Sequence, residues 1–81
     1  MTTMVFDLKV YAVINTTNYN EDGIASIQVA RGAEECDALG WEPDTEGINQ
    51  YTHEVTKVRD LQVGEIIEHW FEKGAFIMRV A

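Results

Sequence analysis

The run from Val5 to Asn15 is the feature that most restricts the fold. It is rich in Val, Ile, Phe and Tyr, and it sets Phe6, Leu8, Val10, Ala12 and Ile14 on one side of a strand with Asp7, Lys9 and Tyr11 on the other. A strand needs a hydrogen-bonded neighbour, so the chain must build a sheet. The next run, Ile24 to Arg31, repeats the period, with Ala25, Ile27 and Val29 on one face and Ser26 and Gln28 on the other. Asn18, Asn20, Glu21, Asp22 and Gly23 separate the two runs with turn-forming chemistry. An antiparallel hairpin with a loop of about eight residues is expected.

Beyond Gly32 the periods weaken. Ala33 to Leu39 predicts a helix of about two turns closed by Gly40. Pro43 and Gly47, among Asp, Thr and Asn, predict a loop as far as Gln50. Gln50 to Val58 is Thr-rich with polar residues on both faces, the pattern of an edge strand. Val63, Ile66, Ile67, Trp70 and Phe71 then match the i, i+3, i+4, i+7, i+8 template of an amphipathic helix, with Asp60 as N-cap and Gly74 as its end. Glu65, Glu68, His69 and Glu72 take the solvent side of that helix. Ala75 to Ala81 alternates again and supplies a last strand. The expectation is one compact α+β domain over residues 1–81, in the order β-β-short α or loop-β-α-β. It has about four mainly antiparallel strands and one amphipathic helix packed on one face.

Charge is where the composition stands out. Six basic residues against fourteen acidic ones give a net charge of −8, which weighs against a direct grip on nucleic acid, where Lys and Arg displace counterions. The excess is local. Residues 1–20 and 55–81 are each neutral, whereas residues 21–54 carry nine acids against Arg31 alone. Six of those acids, Glu34, Glu35, Asp37, Glu42, Asp44 and Glu46, lie in one short segment without a base. They form either a solvated loop that charge keeps soluble or a surface for a basic partner. Pro43 biases Glu42 toward an extended backbone, in which Glu42, Asp44 and Glu46 project from one side at intervals of roughly 6.5 to 7 Å, in the manner of a row of phosphates. Trp41 and Tyr51 flank the row as candidate interface anchors, although Trp41 beside Leu39 also suits a core position.

Catalytic and metal patterns are scarce. Asn18–Gly23 and Glu42–Gly47 approach the early positions of a calcium loop, but Val29 and His53 stand where the twelfth-position Glu belongs. His53 and His69 have no zinc-ligand spacing with Cys36. Cys36 sits among Glu34, Glu35 and Asp37, which disfavour a thiolate, and Ser26 lacks a nucleophile elbow. Neither an enzyme nor a cofactor is expected. The lone Cys36 cannot close an internal disulfide, which predicts an intracellular, cytoplasmic chain, and no run approaches the ~20 apolar residues of a membrane span.

In being small, acidic, compact and free of motifs, the chain resembles phage or mobile-element proteins that disable host defence, anti-CRISPR proteins among them; no residue pattern carries the resemblance. It implies a non-enzymatic inhibitor, monomer or homodimer, that occupies the basic, nucleic-acid-binding site of a host effector protein and binds neither nucleic acid nor membrane itself. The residues offered for that contact are Glu34, Glu35, Asp37, Trp41, Glu42, Asp44, Glu46 and Tyr51. An antitoxin, immunity or regulatory subunit that adds the Gln50 to Val58 edge to a partner's sheet is the alternative, and a divalent-cation-binding module is a third reading.

Overall fold

A computed structural model of the chain describes residues 9–16 and 26–81. The expected strand residues Val5 to Leu8, the turn cluster Asn18 to Gly23 with its calcium-like spacing, and Ile24 and Ala25 lie outside them. The elements are β1 (Val10–Asn15), β2 (Ser26–Arg31), α1 (Gly32–Ala38), β3 (Glu46–Asn49), β4 (Val55–Lys57), a 3-10 turn (Val58–Asp60), β5 (Ile66–His69) and β6 (Ala75–Arg79). The fold is α+β, with one six-stranded antiparallel sheet in the order β2-β1-β6-β5-β3-β4 in place of the four strands expected.

β1 and β2 form the expected antiparallel pair, Tyr11 facing Ala30 and Ile14 facing Ile27. The core is built mainly on the side of Lys9 and Tyr11, the less apolar of the two sides in sequence. Tyr11 and Val13 are buried, joined by Ala30, Ile67, Ala75 and Ile77 from the neighbouring strands and by Cys36, Trp41, Val58 and Leu61 from the segments between strands. Val10, Ala12, Ile14, Ile27 and Val29 lie on the second face. Connectivity explains the choice of side. α1 follows β2 without a spacer, through Gly32 at φ 78°, and its buried Cys36 joins the cluster on the Ala30 side. α1 thus covers the Ala30 side of the pair, and that side is the interior.

α1 begins one residue before the predicted Ala33 and ends one residue before the predicted Leu39, which is its C-cap, and Gly40 follows at φ 90° with its N–H donating to the Asp37 carbonyl (2.9 Å). Glu34 and Glu35 occupy its first turn, where the helix dipole favours acids. The expected loop to Gln50 hides a strand, β3, and the predicted Gln50 to Val58 strand shrinks to β4, which does lie at an edge of the sheet.

The largest departure is the segment predicted as an amphipathic helix. Val63 to Phe71 forms no helix; Ile66–His69 is strand β5, paired with both β3 and β6. Gly64, at φ 92°, is the third residue of a turn in which Glu65 N–H donates to the Gln62 carbonyl (2.9 Å), the place where a type II turn calls for glycine. Gly74, at φ 88°, does the same before β6, with Ala75 N–H on the Glu72 carbonyl (3.1 Å). Two such turns leave between them a run short enough for a strand and a hairpin loop. The helical spacing arises because the sheet is apolar on both faces, so Ile66 and Ile67 point to opposite sides and both find apolar neighbours, Met78 and Ile77. Period-2 alternation disappears from a strand with that surrounding.

Asn49 is the buried polar residue of the described core, 1% exposed. Its Oδ1 accepts the N–H groups of Tyr51 (2.8 Å) and Thr52 (3.1 Å), and its Nδ2 donates to Glu65 Oε2 (3.1 Å). It thereby shapes the β3–β4 loop, in which His53 holds a left-handed φ of 62°, and ties that loop to the turn before β5.

Candidate functional site

The acidic segment runs from α1, which packs on β1 and β2, to β3 near the far edge of the sheet. Trp41 anchors its midpoint. The indole is 3% exposed, its N–H backbone group donates to the Cys36 carbonyl (2.8 Å), and its ring meets the His69 ring edge-on at 5.0 Å between centroids. Trp41 is therefore a core residue and does not present a surface to a partner. Tyr51 is exposed on the β3–β4 loop.

The acids divide into two groups. Glu34, Glu35, Asp37 and Glu42 are exposed and, among the described residues, have no ion pair, although Glu35 Oε1 accepts the Arg31 N–H at 3.0 Å. Asp44 is bound to the Arg59 guanidinium and lies 3.9 Å from Lys57 Nζ, and Glu46 stands opposite Lys57 in the β3–β4 register. The even extended row expected from Glu42 through Asp44 to Glu46 does not form. Thr45 N–H donates to the Glu42 carbonyl (3.0 Å) and Thr45 Oγ1 accepts the Glu42 N–H (2.9 Å), which closes a turn with Pro43 at its second position. Proline's fixed φ suits that position at least as well as an extended chain.

Where Asp44 and Glu46 end, a cleft of about 560 Å³ opens, lined also by Val55, His69, Trp70 and Phe71. Trp70 and Phe71 are 54% and 85% exposed, and their rings meet edge-on at 6.5 Å. His69 is 6.4 Å from the Phe71 ring, so an aromatic chain runs from buried Trp41 through His69 to the exposed pair. The Phe71 N–H donates to His69 Nδ1 (3.1 Å). Trp70 N–H donates to the Glu46 carbonyl (3.2 Å), which holds the loop against β3. Trp70 and Phe71 were expected on the buried side of a helix. The sequence does hold a signal for their exposure: they stand immediately before Glu72-Lys73-Gly74, a turn-forming stretch.

Cys36 is 0% exposed, and burial, with Glu35 adding to it, pushes its thiol up to about 11. Burial is thus the main reason for its low acidity, ahead of the neighbouring carboxylate. Among the described residues no group of three or more His, Cys, Asp or Glu is placed to hold a metal ion, and no helix is long and apolar enough to cross a membrane. No protein-family model, curated protein or solved structure matches the chain.

Proposed function

We propose that this chain is a non-enzymatic binding protein that occupies a basic, nucleic-acid-binding site on a partner protein and inhibits it by competition, as anti-defence proteins of phages and mobile elements do. The observation that carries the reading is the exposure of Trp70 and Phe71 in one cleft with Asp44 and Glu46. Large exposed aromatics beside charge have the composition of an interface anchor with a polar rim. The unpaired carboxylates of Glu34, Glu35, Asp37 and Glu42 supply the long-range attraction that speeds and orients docking. The anchors in this proposal are Trp70 and Phe71, with Tyr51 peripheral and Trp41 acting from behind by holding His69. Addition of the Gln50 to Val58 edge to a partner's sheet has less support, because only Val55–Lys57 of that run is strand.

The test is capture of the partner from host cells with the native chain and with a Trp70→Ala/Phe71→Ala variant, followed by titration of the chain into the partner's own nucleic-acid-binding assay. The native chain should displace nucleic acid, should weaken at least tenfold as salt rises toward about 0.5 M, and should lose a further tenfold or more in the double variant. A partner that binds chain and nucleic acid together, or equal capture by the double variant, refutes the proposal.

A further inference from the structure

The two edges of the sheet are built differently. β4 is three residues long and ends on Lys57, which suits an edge that is to stay single. β2 has six residues, Ser26 to Arg31, without proline or acid, and its outer side has no strand partner among the described residues. Ile27 and Val29 are 66% and 53% exposed on it. Natural edges are normally blunted by charge, proline or shortness, and this one has only Arg31 at its end.

We propose that the outer edge of β2 pairs antiparallel with the same strand of a second copy of this chain, Ile27 against the copy's Val29, with Gln28 on the two-fold axis. The strand is self-complementary in that register. Ile27 and Val29 share one face of the sheet, so each two-fold-related pair is apolar to apolar, and Gln28 meets its own copy on the other face with an amide able both to donate and to accept. β2 itself carries no acid, so the paired strands oppose no carboxylates, although two chains of −8 repel each other at longer range. The interface leaves the acidic and aromatic cleft free, since β3 and β5 lie toward the other edge.

Sedimentation equilibrium on the full chain tests this. Twice the monomer mass is expected at ~100 µM, the concentration range of a micromolar dissociation constant. The dimer should persist or tighten toward about 0.5 M NaCl, because salt screens the repulsion between two acidic chains. Ile27→Lys with Val29→Lys should give a monomer whose circular dichroism matches the native chain and whose melting matches it at dilutions where both are monomeric, since both side chains are exposed. Under mild oxidation Gln28→Cys should link two chains. Ser26→Cys should not, because that register sets Ser26 against the copy's Ala30 and leaves the two position-26 residues about 14 Å apart at ~3.4 Å per residue. A native monomer at ~100 µM, a dimer that survives the two lysines, or linkage through position 26 as fast as through position 28 overturns the proposal. Dimer loss in Trp70→Ala/Phe71→Ala with the lysine variant still dimeric does the same and moves the interface to the cleft.

Discussion

Gly47→Ala removes no contact and adds a single methyl group, yet it should be among the most damaging small substitutions in this chain. A Cβ built at Gly47 lies 2.4 Å from the Glu68 carbonyl oxygen, 2.9 Å from its carbon and 3.1 Å from Ile67 Cβ, where ordinary contact begins at 3.4 Å. About 1 Å must therefore be opened. The nearest atoms belong to the β5 backbone, so no rotamer change relieves the overlap; β3 has to move away from β5, against the register Gly47–His69, Ile48–Glu68, Asn49–Ile67. Overpacking of this kind costs about 1–3 kcal/mol, and the smaller unfolded-state entropy of alanine returns about 0.5–1 kcal/mol of that at most. A net loss of about 1–2 kcal/mol is large for 81 residues, whose total stability at ordinary per-residue values is about 4–12 kcal/mol. Urea unfolding followed by far-ultraviolet circular dichroism and by tryptophan fluorescence gives the comparison, with the midpoint falling and the slope m unchanged. The thermal midpoint should drop by about 4–16 °C. Gly64→Ala is the contrasting case: nothing lies within 4 Å of its Cβ position, and its cost of ~1–2 kcal/mol comes from φ 92° alone. A Gly47→Ala chain within about 0.5 kcal/mol of the native one would show that β3 and β5 are not held at this separation and would refute the pairing.

Asn49→Leu keeps the volume but withdraws the acceptor of the Tyr51 and Thr52 N–H groups and the donor to Glu65; a loss of about 2–3 kcal/mol in urea unfolding is expected. Cys36, with its thiol near 11 in the fold against 9.0 ordinarily, should react with a thiol reagent at pH 8 about 100-fold more slowly in the folded chain than in urea; equal rates would place it at the surface. Burial also raises the Tyr11 phenol to about 12 from 10.0. Both groups are neutral when protonated and both folded values are raised, so this stability is full below about pH 9 and drains away between about pH 9 and 12, the unfolded chain releasing its protons first. Flat stability over that interval would contradict their burial. Replacing Glu42, Asp44 and Glu46 together by Gln should abolish partner binding in the capture assay while leaving the melting midpoint within ~5 °C, and retained binding would remove those carboxylates from the interface.

The parts of the fold that could be read from the sequence are those where one local rule acts without competition. The β1–β2 pair shows period 2 on both strands, and α1 is closed by Gly40, which no other element claims. β5 was unreadable because the sheet is apolar on both sides; Ile66 and Ile67 both face apolar neighbours, and the resulting pattern coincides with that of a helix. The choice of core face in β1 was likewise decided elsewhere, by α1 settling over Ala30. At the candidate site, the acids were visible because net charge survives any fold. Their geometry was not, since Asp44 turns toward Arg59, which follows it by fifteen residues. Trp70 and Phe71 complete the i+7 and i+8 positions of a helix template, which places them on a buried face, and only the β5–β6 hairpin shows them exposed.

The pairing of β1 with β6 bears on how the chain reaches this structure during synthesis. Tyr11 faces Arg79, and Val10 exchanges backbone hydrogen bonds with Val80 and Ala81. The sheet is thus divided, until the last strand arrives, into one half made of β1 and β2 with α1 and another made of β3, β4 and β5. β6 lies between them and is the strand through which the halves join. A ribosome emits residues in order at about 5–20 per second, so both halves leave it before β6 does, each with the edge that β6 covers still open. A message or protease cut that ends the chain after His69 and before Ala75 leaves two unjoined half-sheets with open edges, a species prone to aggregation.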